Sequence, residues 1–195
     1  MAEHVCPVWV GYLLASPLRK LLQNPGKILG PHVKENMSVL DVGCAMGFFS
    51  LPLARLVGPD GKVICVDFQE KMLRSLKKRA GKAGLGKRIE TRLCSRDSLG
   101  LDDLGGRIDF VLAFDVVHEV PDPSRLFREI HEVMEPAARV LVAEPKGWVS
   151  AKKFEMSISI AEQNGFERIE RPRIRRGTAI LLSKKTRDTQ RHTDR

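Results

Sequence analysis

The stretch Val39-Leu40-Asp41-Val42-Gly43-Cys44-Ala45-Met46-Gly47-Phe48-Phe49 decides the fold of this chain. Val39, Leu40 and Val42 are apolar, the pattern of a buried strand. Asp41 interrupts that run just before its end. Gly43 and Gly47 follow, and residues 48–57 read as a helix. A strand, a glycine-bearing turn and a helix bring backbone close to a ligand at the carboxyl end of a strand in an α/β sheet. The acid narrows the choice of ligand. Beside a carboxylate a phosphate is repelled, whereas a ligand with a positive end is attracted.

Outward from this core the chain alternates strand and helix. Towards the amino end, Ser16-Pro17 and Asn24-Pro25 are helix starts, each a capping residue followed by proline; the second helix is expected to run through Val33. Towards the carboxyl end, Gly58-Pro59-Asp60-Gly61 is a turn and residues 62–66 are a second strand ending in Asp67. In residues 69–83, Met72, Leu73, Leu76 and Ala80 share one helix face while Lys71, Arg74, Lys77 and Lys78 face water. Residues 88–94 alternate as a third strand, and 108–114 form a continuous apolar run, hence a buried fourth strand. Residues 124–135 are helical, 139–143 a fifth strand, and 150–164 a helix capped by Ser150 and stopped by Gly165. Two last strands, 166–170 and 178–182, are joined through Pro172.

This alternation implies a mostly parallel sheet with helices on both faces. Only a few residues separate the last two strands, and a parallel crossover needs a dozen or more. They are therefore antiparallel. The fold class is α/β: a parallel sheet closed by a carboxyl-terminal antiparallel hairpin. The expected organisation is an amino-terminal helical segment (1–36), the α/β domain (37–184) and a basic tail (185–195).

The chain has 195 residues, 43% of them apolar, and a formal charge of +9. That is one domain with an ample core. Part of the positive excess sits in Arg171, Arg173, Arg175 and Arg176 and in the tail. Those residues admit nucleic acid, an anionic membrane or an acidic partner, beside the plainer reading of a solvated surface; aromatics are too few to advertise base stacking. Cys6, Cys44, Cys65 and Cys94 form no C-x-x-C pair and no metal-ligand spacing. Free thiols suggest the cytoplasm. The amino terminus lacks a signal-peptide pattern, and residues 8–15 are too short an apolar run to span a bilayer.

Ligands of an open parallel sheet sit at the carboxyl ends of its strands. The polar residues expected there are Asp41 and the turn, Asp67, Ser95, Arg96 and Asp97, then Asp115, His118 and Glu119 after Phe114, and Glu144 with Lys146. Asp67 lies about two dozen residues past the turn, near the offset at which dinucleotide sites place an acid on a ribose; capping of the following helix is its alternative role. Gly43 and Gly47 do not match the G-x-G-x-x-G spacing of a pyrophosphate site. S-adenosylmethionine carries no phosphate and has an α-ammonium that suits Asp41.

In VLDVGCAMG (39–47), VICVDFQEKML (63–73), RIDFVLAFDVVHEVPDPSRLFREIHEVMEP (107–136) and VLVAEP (140–145), the chain resembles the class I S-adenosylmethionine-dependent methyltransferases. The resemblance is to the compact group that includes the ubiquinone and menaquinone biosynthesis C-methyltransferases, and it runs from about Met37 to Leu182. It implies a seven-stranded Rossmann-like sheet with the last strand inserted antiparallel. It further implies that Asp41 holds the cofactor's ammonium end and that backbone at Gly43, Cys44, Ala45 and Gly47 wraps the methionine portion. Asp67 takes the ribose hydroxyls, Phe68 packs on adenine, Ser95 and Arg96 sit at the adenine edge, and backbone near Ala113 and Phe114 meets the methionine amine.

Three positions depart from the family pattern. Ala45 replaces a glycine, which is compatible with close approach if its φ is negative. Ser95 stands where an acid is usual, with Asp97 displaced. Pro136-Ala137-Ala138 replaces proline-glycine-glycine, a change expected to alter a turn.

Methyl transfer from a sulfonium is an in-line displacement governed by positioning, and it requires neither a triad nor a metal. A base is needed only if the acceptor loses a proton. His118 is the first candidate, since an ordinary imidazole titrates near pH 6.5, with Glu119 and Glu144 after it; a structural or substrate-shaping role is the alternative for His118. Trp9 and Tyr12 have three readings: a wall that excludes water from the transfer site, packing on the sheet edge, or part of a membrane-surface helix. The absence of a target-recognition insertion favours a small-molecule acceptor. An RNA- or protein-directed enzyme and a non-catalytic cofactor-binding protein are the alternatives. Oligomeric state is not legible in the sequence.

Overall fold

The computed structural model describes residues 23–185. The expected helix after Ser16-Pro17, the roles considered for Cys6, Trp9 and Tyr12, and most of the basic tail lie outside those residues. A short helix α1 (Pro25–Leu29) is capped by Asn24, whose side-chain oxygen accepts the N–H groups of Gly26 and Lys27 at 3.0 and 3.3 Å. The expectation that it continues to Val33 is corrected: regular helix stops at Leu29, and residues 30–32 and 35–36 are turns.

The alternation then runs β1 (Ser38–Val42), α2 (Ser50–Leu56), β2 (Lys62–Asp67), α3 (Glu70–Lys82), β3 (Ile89–Leu93), β4 (Ile108–Phe114), α4 (Pro123–Val133), β5 (Met134–Pro145), α5 (Ala151–Gln163), β6 (Phe166–Glu170) and β7 (Gly177–Lys184). The seven strands form one sheet in the order β3-β2-β1-β4-β5-β7-β6. The first five strands pair in parallel, and β7 is antiparallel to both β5 and β6. The expected class is observed, with β7 inserted between β5 and β6.

Period-two alternation sorts each strand's side chains to two cores. Val39, Val63, Phe110, Leu112, Leu141 and Leu181 pack against Leu29 and against Leu53, Leu73 and Leu76 from α2 and α3. Leu40, Ile64, Val111, Val140 and Leu182 pack against Phe127, Ile130, Phe154 and Ile158 from α4 and α5. Apolar residues on both faces of each central strand explain why these strands read as unbroken hydrophobic runs.

Two local departures from the sequence reading have backbone causes. Helix α2 begins at Ser50, later than residue 48, because the turn runs on through residues 45–49, with Gly47 at φ +82°. Strand β5 begins at Met134, directly after α4, and carries a bulge through Pro136-Ala137-Ala138. Between the pairs Ile108–Met134 and Phe110–Arg139, β5 advances five residues while β4 advances two. Ala137 takes φ +61° there.

The order of winding reverses at β1, between β2 and β4. The crevice that such a reversal opens lies at the carboxyl ends of those strands.

Candidate active site

The turn after β1 is closed by its own backbone. The N–H groups of Gly43 and Cys44 both donate to the Val66 carbonyl, at 2.9 and 3.1 Å, and that of Gly47 to the Cys44 carbonyl at 3.0 Å. Gly43, Ala45 and Gly47 have φ of +68°, +47° and +82°. The condition of a negative φ at Ala45 is therefore not met: the turn imposes the left-handed conformation on an alanine, at a cost of roughly 1 kcal/mol. Glycine is demanded at Gly47, where a Cβ would stand 2.3 Å from Cδ1 of the fully buried Leu76. The guanidinium of Arg79, on α3, donates to the Met46 carbonyl and ties the turn to that helix.

Two carboxylates organise this turn. Asp41, only 3% exposed, accepts the Ser50 hydroxyl on Oδ2 at 2.6 Å. Burial pushes its carboxyl up to about 7, against the Ser50 hydrogen bond; the charge of Asp67 adds to the rise. Asp67, 6% exposed, accepts the Ala45 N–H on Oδ2 at 2.9 Å and the Gln69 N–H on Oδ1 at 2.8 Å. Burial raises its carboxyl too, opposed by those two bonds. Asp67 thus anchors the start of α3 and the glycine turn together. Each carboxylate oxygen has a second acceptor site, so this anchoring leaves capacity for a ligand's hydroxyls.

A cleft opens over the turn, lined by Asp41, Gly43, Cys44, Ala45, Asp67, Phe68, Ser95, Arg96 and Phe114, and also by Phe48, Phe49, Val116, Glu119 and Leu126. All the cofactor positions expected from sequence, Gly47 apart, therefore share one cavity; Gly47 shapes the turn from beneath. The Arg96 guanidinium carbon lies 5.7 Å from the Phe68 ring centroid, a cation–π distance. Ser95 Oγ accepts the N–H groups of Asp97 and Ser98 at 3.1 and 2.9 Å, which folds residues 95–98 into a tight loop. Phe49 packs on Phe114 with centroids 4.3 Å apart.

Sequence reasoning missed the residues that hold the far wall. Arg125 and Glu129, one turn apart on α4, reach across to the 95–100 loop. Arg125 Nη1 donates to the Asp97 carbonyl at 2.6 Å, and Glu129 Oε2 accepts the Leu99 N–H at 2.6 Å. Their i, i+4 spacing on the polar face of a helix was the available signal.

His118 does not line the cleft; its neighbour Glu119 does. The short turn Val117–Glu119 after β4 points successive side chains in different directions. His118 faces inward, with Nδ1 2.5 Å from Glu144 Oε2, and its Nε2 lies 4.0 Å from Glu119 Oε1. The Glu144 hydrogen bond raises the imidazole above its ordinary value, against the effect of burial. Burial raises the Glu119 carboxyl, with the His118 charge opposing.

The turn is a poor phosphate cradle. Such a cradle offers free backbone N–H groups to the anion, but here those of Gly43, Cys44, Ala45 and Gly47 are already bonded within the protein. Two buried acids face the cleft instead, which suits a ligand with a cationic end and a diol.

The model of a family described as a methyltransferase domain matches residues 33–175. The chain belongs to the methyltransferase-domain family. Among curated proteins it is similar to a demethylmenaquinone methyltransferase of Lactobacillus johnsonii, 32% identical over 112 residues, covering 57% of this chain and 45% of that protein. It is similar in the same way to the ubiquinone/menaquinone biosynthesis C-methyltransferase UbiE of Hahella chejuensis, at 31% identity over 57% of this chain and 44% of that protein. The chain thus matches less than half the length of these relatives. Among solved structures, a SAM-dependent methyltransferase from Aquifex aeolicus superposes with a TM-score of 0.81 at 25% identity, covering 92% of this chain and 98% of the other. The sheet order and the inserted β7 are those of the Rossmann-like methyltransferase fold.

Proposed function

We propose that this methyltransferase-domain protein binds S-adenosylmethionine in the cleft and transfers its methyl group to a small-molecule acceptor. The observation that carries the reading is the pair Asp41–Asp67 around a turn in which the N–H groups of Gly43, Cys44, Ala45 and Gly47 are already bonded. It supplies acids for an ammonium and a ribose, and a poor cradle for phosphate. In this reading Asp41 holds the ammonium, directly or through water, backbone at Gly43–Gly47 wraps the amino-acid chain, and Asp67 takes the ribose hydroxyls. Phe68 with Arg96 flanks the adenine, whose edge meets the Ser95 loop, and Phe114 closes the methionine side.

The bound cofactor supplies an electrophilic methyl carbon on a sulfonium. The protein's part is to exclude water and to align the acceptor near ~3 Å and in line, which supplies roughly 7–11 kcal/mol of acceleration. Phe48, Phe49, Phe114, Val116 and Leu126 give the cleft an apolar wall suited to a ring-bearing acceptor. The names of the curated relatives, which refer to demethylmenaquinone and to quinone biosynthesis, agree with that chemistry. Glu119, which lines the cleft, is proposed to take an acceptor proton, with His118 beside it. Residues 1–36, 37–184 and 185–195 are taken as a covering segment, the catalytic domain and a basic tail. Among the described residues no helix is long and apolar enough to cross a membrane. With Cys44, Cys65 and Cys94 as free thiols, the cytoplasm is the proposed compartment.

The test is thermal melting with S-adenosylhomocysteine, followed by transfer of label from S-adenosylmethionine to an acceptor panel that includes short-chain quinols. Ligand at ~100 times its dissociation constant stabilises by about 2.7 kcal/mol, or roughly 5–11 °C for a domain of this size. A folded protein that shows no melting change overturns the reading. Stabilisation without transfer to any acceptor leaves a cofactor-binding protein that does not catalyse.

A further inference from the structure

Trp148 is 81% exposed, although the preceding strand and the following helix are well packed. Its neighbour Val149 turns into the core, so the loop after β5 is anchored and the indole is left outside it. Met156, 58% exposed, adds a second large apolar side chain on the first half of α5.

The two loops around Trp148 are basic, and the nearest acid of α5, Glu155, is paired with Arg168 and Arg171. Lys146, Lys152 and Lys153 are exposed on its own segment, and residues 145–153 contain no acid. The Lys146 N–H donates to the Arg176 carbonyl at 3.0 Å, which joins this loop to the one before β7. That second loop exposes Arg173, Arg175 and Arg176, turns Ile174 inward, and also has no acid from 171 to 177. Arg171 is engaged by Glu155 at 2.7 Å, so its charge is already matched. Pro145 pairs with Gly177, so both loops stand at the carboxyl end of β5, the end of the sheet at which the cleft opens.

We propose that this rim, Trp148 and Met156 set among Lys146, Lys152, Lys153, Arg173, Arg175 and Arg176, docks on an anionic lipid bilayer. An indole is stable at headgroup depth, where its ring is half-buried and its N–H wet. Each Lys or Arg near an anionic surface is worth about five-fold in partitioning. Nucleic acid shares the need for cations, but stacking platforms use several aromatics. Among the described residues Trp148 is the one aromatic of the exposed large hydrophobics, and its apolar companions are aliphatic. The consequence for the cleft, that an apolar acceptor enters from the bilayer, rests on the methyl-transfer reading; the docking itself does not.

The experiment is flotation of the full chain with vesicles of phosphatidylcholine alone, or with roughly one-third phosphatidylglycerol, at low and moderate salt. Binding is expected with the anionic vesicles only and should weaken as salt rises. Trp148→Ala should lower partitioning several-fold. Lys152→Glu with Lys153→Glu should lower it by well over ten-fold. The stabilisation by S-adenosylhomocysteine in thermal melting should be unchanged in these variants. Failure of the wild type to float with anionic vesicles overturns the proposal, as does unchanged flotation of both variants. Salt-sensitive binding to a single-stranded RNA oligomer without flotation assigns the rim to nucleic acid instead and also overturns it. A wild type that floats but is not stabilised by S-adenosylhomocysteine removes the methyl-transfer reading and leaves the docking in place.

Discussion

His118 Nδ1 lies 2.5 Å from Glu144 Oε2, and the other oxygen of the same buried carboxylate accepts the His118 backbone N–H at 3.1 Å. Glu144 is 2% exposed, and both of its oxygens are bonded to His118. The bond raises the imidazole above its ordinary value. A raised histidine stabilises the fold fully below its unfolded value near ~6.5, and that stability is lost as pH rises through the folded value. Glu144→Gln should therefore destabilise by about 1–3 kcal/mol at pH 6, and by less at pH values above the folded titration point. Denaturant unfolding at the two pH values checks this; an equal loss at both would show that the imidazole is not charged by Glu144.

Asp41 has the opposite sign. Its folded carboxyl is near 7 because of burial, so the fold loses stability as pH rises from about 4 to about 7. Asp41→Asn should stabilise the free protein at pH 8 by a few kcal/mol, since each tenfold change in proton affinity is worth about 1.4 kcal/mol, and by almost nothing at pH 4. The same variant should lose most of its stabilisation by S-adenosylhomocysteine. In the wild type, affinity for that ligand should rise with pH through 7, with proton release on binding near neutrality. Calorimetry in buffers of differing ionisation heat measures the release; its absence at pH 7 would place the ammonium elsewhere.

Ala45 and Gly47 share a left-handed turn but differ in what a side chain meets. Ala45→Gly removes backbone strain and should stabilise by ~1 kcal/mol, or about 2–4 °C in melting temperature. Gly47→Ala should destabilise by about 1–3 kcal/mol, because Leu76 must move. A lower melting temperature for Ala45→Gly would show that the strain is not relieved by glycine.

The 95–100 loop is held from α4. Glu129→Ala leaves the Leu99 N–H without its carboxylate, so the loop must be ordered when ligand binds. Affinity for S-adenosylhomocysteine should fall about ten-fold, the equivalent of one ~1.4 kcal/mol hydrogen bond. Titration calorimetry on Glu129→Ala and Arg125→Ala checks it; unchanged affinity in both would show that the loop is ordered without α4.

The residues that announced the fold are those whose signal is local. Residues 39–49 combine a strand, a turn and a helix in one stretch, and the few residues between β6 and β7 force them antiparallel. Ser150 was legible as a cap because its partner, Lys153, lies within the same turn of helix. What stayed hidden depends on distant partners. The left-handed state of Ala45 follows from a bond to Asp67, 22 residues away, and the pairing of His118 with Glu144 spans 26. Pro136-Ala137-Ala138 carries no strand propensity and joins β5 through a bulge against β4. The cleft residues were legible because they end strands, whereas Arg125 and Glu129 reach it from a helix flank.

The inserted position of β7 also bears on how the molecule assembles. Strand β6 precedes β7 in the chain but contacts the sheet through it, since its strand partner is β7. During synthesis β6 therefore has no strand partner until Gly177–Lys184 enters beside β5, although its Phe166 can pack on Phe127 and His131 of α4. Ile180, Leu181 and Leu182 then seal both cores at once. A nascent chain that has not yet added β7 exposes two unpaired strand edges, on β5 and on β6, to chaperones and proteases.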